Sequence, residues 1–247
     1  MAYSQTVIDD FNDGVIDEPA RWDVTQGPGE SESGGFLNLP CNMNYPRVEG
    51  QTFFNLASGI FAAKLTLSGT RSGASEVYIG AHDGAGNHIS AMGGPNGSYL
   101  TFQPGGAATF NTEVVSDTTV GLGPDWVDGS WWGIGNMGSD NVIKMYKSTD
   151  GQTWTEMSRC TVGGTYNKTH AGLVLMAGIW DGTTTDLVAK FDDASFWAVQ
   201  ATGDSFRPVK VRTGGSWKLG VPKARVGGVW VPAYSKPRFE NTWSALN

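Results

Sequence analysis

The residues best equipped for chemistry lie between Glu76 and Met92. Centring a turn on Ala85, within Asp83-Gly84-Ala85-Gly86-Asn87, pairs His82 with His88 and predicts a β-hairpin. Side-chain alternation then puts Val77, Ile79, Ala81, Ile89 and Ala91 on a core face, and Glu76, Tyr78, His82, His88, Ser90 and Met92 on the other. That second face carries a carboxylate, a phenol and two imidazoles, a set suited to ring stacking and hydrogen bonding. The plainer reading is a solvated sheet face, because antiparallel sheets often leave one side wet. Two cross-strand histidines also suit a metal ion, but no third ligand is indicated and no metal is expected. A second group is Trp180-Asp181, at the root of a polar loop running to Asp186. A Trp beside Asp and Thr fits sugar binding and ordinary loop chemistry equally. Asp9, Asp10 and Asp13 have oxygens suited to Ca²⁺, yet no coordination spacing is visible; no cofactor is expected, with Ca²⁺ at these residues left open.

The segments that must carry these residues read as strands and turns. Gly35–Leu39 is a short strand, and in Gly59–Leu67 Ile60, Ala62, Lys64 and Thr66 alternate with Phe61, Ala63, Leu65 and Leu67. Trp131–Gly135 and Asn141–Ser148 form a further pair, and Ala171–Trp180 is apolar enough to be buried. Gly93-Gly94-Pro95-Asn96-Gly97 and Gly105-Gly106 are hairpin loops, since no helix follows them. The Asp-rich ends, Ile8–Asp13 and Ala189–Trp197, are expected to be neighbours, as first and last strands of a sandwich are. Asp192 and Asp193 are expected on opposite faces. Gly-x-Ser-x-Gly, His-Glu-x-x-His and phosphate-loop motifs are all absent.

Composition agrees with an all-β protein: 35 Gly in 247 residues, charged residues at 17%, and no long amphipathic stretch. The net charge of −7 conceals a split. Residues 205–247 hold eight Lys/Arg against one Glu, and residues 1–204 hold nine against twenty-three acidic residues, a net of −14. An acidic body argues against a nucleic-acid partner. Two cysteines, Cys41 and Cys160, make no disulfide framework or zinc pattern and are expected as buried thiols. No run is long and apolar enough for a membrane span, and Met1–Asp13 does not resemble a secretory signal, so synthesis in a cytoplasm is expected. Two domains follow, 1–204 and 205–247.

The second of these is a repeat. Lys210-x-Arg212-x-Gly214-Gly215-x-Trp217 returns thirteen residues on as Lys223-x-Arg225-x-Gly227-Gly228-x-Trp230, and loosely as Lys236-x-Arg238-x-Glu240-Asn241-x-Trp243. Thirteen residues suit a strand, a tight Gly-Gly turn and a return strand. Each unit is too small to bury its own apolar face and needs neighbours or another chain. The ribbon is read as an attachment or oligomerisation device through these Lys, Arg and Trp residues. Nucleic acid is the weaker reading, because a ribbon's Trp more often packs.

Two resemblances arise from these residues. The Asp9-Asp10-Phe11-Asn12 opening, Trp22, the closing Phe191-Asp192-Asp193 and the Trp131-Trp132 hairpin resemble the concanavalin A-like lectin/glucanase fold, over roughly 5–200. That resemblance implies a jelly roll of two antiparallel sheets, one concave, with sugar held by aromatic and polar side chains; Glu76, Tyr78, His82, His88, Trp180 and Asp181 are the candidates here. Glucanases of that fold carry Glu-x-Asp-x-x-Glu on one strand, and this chain has no such spacing, so it is expected not to be an enzyme. Ser148-Thr149-Asp150-Gly151-Gln152-Thr153-Trp154 resembles the Asp-box of sialidases, a structural turn. The tandem repeats resemble the C-terminal segments of minor tail proteins from phages of actinobacteria. That likeness implies a virion tail component with host cell-wall glycan and other tail proteins as partners, and a homo-oligomer such as a trimer. The other expectations kept open are a purely structural virion protein and a polysaccharide depolymerase.

Overall fold

The computed structural model describes residues 3–16, 20–26, 29–70, 74–94, 97–103, 127–135, 138, 141–161 and 166–199, and four tail strands. The chain divides into two compact units, Met1–Gln200 and Ala201–Asn247. The first unit contains β1 (Tyr3–Asp9), β2 (Trp22–Gln26), β3 (Ser31–Ser33), β4 (Phe36–Pro40), β5 (Arg47–Gly50), β6 (Gly59–Ser68) and β7 (Ser75–His82). It continues with β8 (His88–Gly94), β9 (Gly97–Gln103), β10 (Ser130–Gly135), β11 (Val142–Ser148), β12 (Thr155–Thr161), β13 (Gly172–Ile179) and β14 (Val188–Val199). The only helical turn among the described residues is a 3₁₀ turn at Leu56–Ser58.

These strands form two antiparallel sheets. The larger has eight strands in the order β12-β11-β10-β6-β14-β4-β3, with β1 also paired to β14. The smaller has six, in the order β2-β5-β13-β7-β8-β9. Alternation explains the packing between them. Phe61, Ala63, Leu65 and Leu67 of β6 point into one core with Val77, Ile79 and Ala81 of β7, Ile89 and Ala91 of β8, and Leu173, Leu175 and Ala177 of β13. The two Asp-rich ends are neighbours as expected, with Asp9 opposite Ala194.

Asp9 is the hub of that junction. Its buried carboxylate accepts hydrogen bonds from Trp22 Nε1 (2.7 Å), Arg21 Nη1 (2.9 Å) and the Phe11 amide (2.9 Å). Phe11, held at a positive φ of 50°, stacks on Trp22. The carboxylate of the Asp-Asp-Phe-Asn opening is thus committed to closing the sandwich.

The outer face of β6 is less wet than its alternation predicts. Ile60 and Ala62 lie under a second apolar cluster with Trp131, Tyr146 and Trp197, and Trp154 and Tyr3 pack against it. The Asp-box turn provides this cover. Ser148 Oγ accepts from the Gly151 amide (2.9 Å), and Asp150 Oδ1 accepts from the amides of Gln152 (2.8 Å) and Thr153 (2.7 Å). Those bonds hold Asp150 at a pKa of about 2. Asp192 and Asp193 do not point to opposite faces, which corrects the expectation above. The pairing of β14 with β6 shifts register between Asp192 and Ser195, and Asp193 takes a φ of 52°. The bulge turns both carboxylates to Lys64, with Asp192 at 3.9 Å and Asp193 in direct contact.

In the second unit β15 (Val209–Thr213) pairs with β16 (Ser216–Gly220), and β17 (Lys223–Val226) with β18 (Val229–Pro232). The two hairpins share one register: Arg212 lies opposite Trp217, and Arg225 opposite Trp230. Lys210 lies opposite Leu219 and Lys223 opposite Pro232. Lys236, Arg238 and Trp243 of the third repeat lie outside the described residues.

Candidate functional site

The site is built on the outer face of the six-stranded sheet. Strands β7 and β8 pair with His82 opposite His88, Ile79 opposite Ala91 and Tyr78 opposite Met92, the register that a turn centred on Ala85 predicts. Asp83 makes that turn rigid. Its carboxylate accepts from the Ala85 amide (2.9 Å), Asn87 Nδ2 (2.7 Å) and the Asn167 amide (3.2 Å), tying the turn to the segment before β13. Burial alone would raise the pKa of Asp83, but these donors outweigh it and hold the carboxyl below its ordinary value.

Strand β13 runs beside β7 with Gly172 opposite His82, Met176 opposite Tyr78 and Gly178 opposite Glu76. The two glycines are there for space. A Cβ on Gly172 would stand 2.3 Å from His82 Nε2, and one on Gly178 would stand 2.0 Å from the Tyr45 ring. Each lets an aromatic side chain lie flat on the sheet. Beyond β13, β5 contributes Arg47 opposite Met176 and Glu49 opposite Val174.

Side chains reach across this face between strands that are not neighbours. Strands β5 and β8 are three positions apart in the sheet, roughly 14 Å at the usual strand spacing. Yet His88 Nε2 donates to Glu49 Oε1 at 2.9 Å, a meeting that requires the face to be cupped. At the same end Arg47 Nε lies 3.0 Å from Glu49 Oε1. His82 Nε2 donates to the Gly50 carbonyl at 2.9 Å, leaving its Nδ1 3.9 Å from Glu49 Oε2. Burial would raise the pKa of Glu49, but the His88 bond, the Arg47 charge and the two imidazoles together lower it.

The other end of the cup has different chemistry. Tyr45 Oη donates to Glu76 Oε2 at 2.9 Å, and Tyr78 Oη donates to the same oxygen at 2.6 Å. Burial first, and then the carboxylate, push both phenols above the ordinary tyrosine pKa. Trp180 stands just past the end of β13, two residues after Gly178, and is 62% exposed. Asp181 is exposed, and its carboxylate accepts from the Thr183 amide (3.0 Å) and hydroxyl (2.7 Å). Cys41 lies buried behind Glu76, and burial pushes its thiol pKa up to about 12, so it is inert at neutral pH. The side chain of Cys160 lies outside the described residues.

The six sequence candidates therefore divide into two ends. Glu76 and Tyr78 meet at one, where Trp180 and Asp181 follow the end of β13. His82 and His88 stand at the other, six residues further along the hairpin or roughly 20 Å. His82 is 6% exposed and bonded to backbone, which makes it part of the floor rather than an open ring. Sequence reasoning missed Tyr45, Arg47 and Glu49. Arg47-Val48-Glu49 does alternate polar and apolar, but three residues carry too little pattern to mark a strand.

No protein-family model matches the chain, and no curated protein matches it. Solved structures share its fold at low identity. The CBM2 module of the evolved Dit of Lactobacillus casei BL23 phage J-1 is 11% identical with a TM-score of 0.52, covering 80% of this chain and 97% of that one. A legume lectin-like domain from Entamoeba histolytica is 10% identical with a TM-score of 0.50, covering 77% and 96%. A Crh5 transglycosylase in complex with NAG is 11% identical with a TM-score of 0.50, covering 81% and 85%. The first unit has the concanavalin A-like jelly-roll fold.

Proposed function

We propose that the sandwich is a non-catalytic carbohydrate-binding domain, and that the chain is a phage minor tail protein whose basic ribbon attaches or oligomerises it on the virion. One observation carries the binding role: two phenols converge on one carboxylate on a cupped sheet face, and an exposed Trp180 follows the end of β13 at that same end. A sugar ring presents apolar C–H faces and a rim of hydroxyls, which such a surface meets by stacking and by hydrogen bonding. The phage module of the same fold and the tandem Lys-x-Arg-x-Gly-Gly-x-Trp units support the tail role. Weak contacts made by many copies would supply adsorption strength, because tethered sites gain effective concentration.

Two features support a role without catalysis. Glu49 is held ionised by Arg47 and His88, which unfits it as a general acid. Glu49 and Glu76 also lie opposite Val174 and Gly178, roughly 13 Å apart along β13, whereas glycosidase carboxylates stand about 5–9.5 Å apart. The structural virion reading draws on the Arg47-Glu49-His88 end, whose polar groups satisfy one another without a ligand.

The test is saturable binding of the fluorescently labelled protein to actinobacterial cells and to their purified wall glycan. Carbohydrate binding predicts competition by free glycan and at least a ten-fold loss in Trp180→Ala. Absence of binding by a multivalent display would favour virion architecture, and release of soluble oligosaccharide would favour a depolymerase.

A further inference from the structure

Glu76 has no cation beside it among the described residues; the buried Asp83 and Glu32 share that lack, whereas several other carboxylates of the sandwich are paired. Asp9 has Arg21, Glu49 has Arg47 and His88, Asp192 and Asp193 share Lys64, and Glu156 has Arg159. None of the ion pairs among the described residues involves Glu76. Among the described residues its charge is stabilised by the hydroxyls of Tyr45 and Tyr78. A carboxylate held by neutral donors in a partly desolvated cup keeps most of its pull on an external cation.

The direction of the hydrogen bonds sharpens the point. An ionised carboxylate only accepts, so both phenol protons are directed at Glu76 Oε2. What remains for a ligand is the second carboxylate oxygen and the lone pairs of two phenol oxygens, all acceptors. The carboxylate and the two phenols therefore select donors, and of the named side chains only the Trp180 indole has an N–H left to offer an acetyl or carboxylate oxygen. The Tyr45 ring, packed against Tyr78, and the exposed Trp180 that follows β13 at the same end present π-electron density, which attracts cations.

We propose that Glu76, Tyr45, Tyr78 and Trp180 form an ammonium subsite, and that the glycan it takes carries free amino groups, as a de-N-acetylated hexosamine does. This rests on the carbohydrate-binding reading and names the substrate class within it. The body's net charge of −14 acts in the same sense at longer range, drawing amino-bearing polymers and repelling uronate- or phosphate-rich ones.

Three β-1,4-linked trisaccharides that differ only at the 2-position isolate the ammonium: glucosamine, glucose and N-acetylglucosamine trimers. Calorimetric titration of the full chain at pH 5.5 keeps the amine protonated, and 0.3 M salt screens the general field of the body. The expected result is at least ten-fold tighter binding of the amino trisaccharide than of the other two. That preference falls to about one in Glu76→Gln and stays unchanged in Asp23→Asn, an exposed carboxylate on β2. Tyr78→Phe, which keeps the ring and removes one acceptor, lowers the preference in a second background should Glu76→Gln melt early. Equal binding of the three trisaccharides, or a preference that survives Glu76→Gln, overturns the ammonium subsite and leaves the carbohydrate reading standing. No binding of any of the three, together with no binding of wall glycan, overturns both.

Discussion

At the scale of single residues, the cup depends on what is missing as much as on what is present. Gly178 has no side chain because the Tyr45 ring occupies the space a Cβ would need, 2.0 Å away. Gly178→Ala is expected to lift Tyr45 off the sheet and break its bond to Glu76, lowering glycan affinity at least ten-fold in a titration while the sandwich stays folded by circular dichroism. Glu32 shows the opposite problem, a buried carboxyl set beside another carboxyl, that of Asp13. Its Oε1 accepts from the Gly14 amide at 2.8 Å, but Oε2 is buried without a partner. Burial raises its pKa, and the Asp13 and Asp9 carboxylates add to that. A raised carboxyl contributes stability below its unfolded pKa and loses it as pH rises through the folded value. Glu32→Gln removes the ionised form and supplies a donor, so the melting temperature should rise by about 2 °C at pH 7. The gain should vanish near pH 4, at or below the ordinary glutamate pKa of about 4.3.

At the scale of elements, the β7–β8 hairpin was legible because everything that sets it is local. The turn at Asp83–Asn87 fixes register, and register fixes which side chains share a face. The same holds for the two tail hairpins, where a thirteen-residue period is a strand–turn–strand by length alone. The Asp-box was legible as a motif, but its role as the cover of a second apolar cluster was not, because Trp131, Trp154 and Trp197 meet from three different elements. Ser148→Ala leaves the Gly151 amide without its acceptor beneath that cover. The expected cost is about 1–3 kcal/mol in denaturant unfolding, with glycan affinity unchanged because the turn lies on the other sheet. Loss of binding in that variant would mean that the two faces are coupled.

At the scale of the whole molecule, an acidic sandwich is followed by a basic ribbon, and under the proposed function the first recognises and the second attaches. Two-stranded hairpins are marginal by themselves, and the ribbon's two described pairs belong to neither sheet of the sandwich. A chain ending at Gln200 should therefore keep its affinity for a soluble trisaccharide in calorimetry. On a glycan-coated surface it should release at least ten-fold faster than the full chain, because copies no longer act together. Equal release rates would remove oligomerisation from the ribbon's account and leave attachment alone.

Sequence by itself determined the all-β class, the faces and register of the central hairpin, and the repeat of the tail, since each follows from side-chain alternation, turn chemistry or period within a few residues. Only the tertiary structure decided what the hairpin's outer face is. Tyr45 and Glu76 are 31 residues apart, and Glu49 and His88 are 39 apart. Those pairs exist because β13 inserts between β5 and β7, an order of strands that no local pattern encodes. The same insertion divided one expected face into an ionic end of Arg47, Glu49 and His88 and an end where Glu76 is held by two phenols and no cation among the described residues.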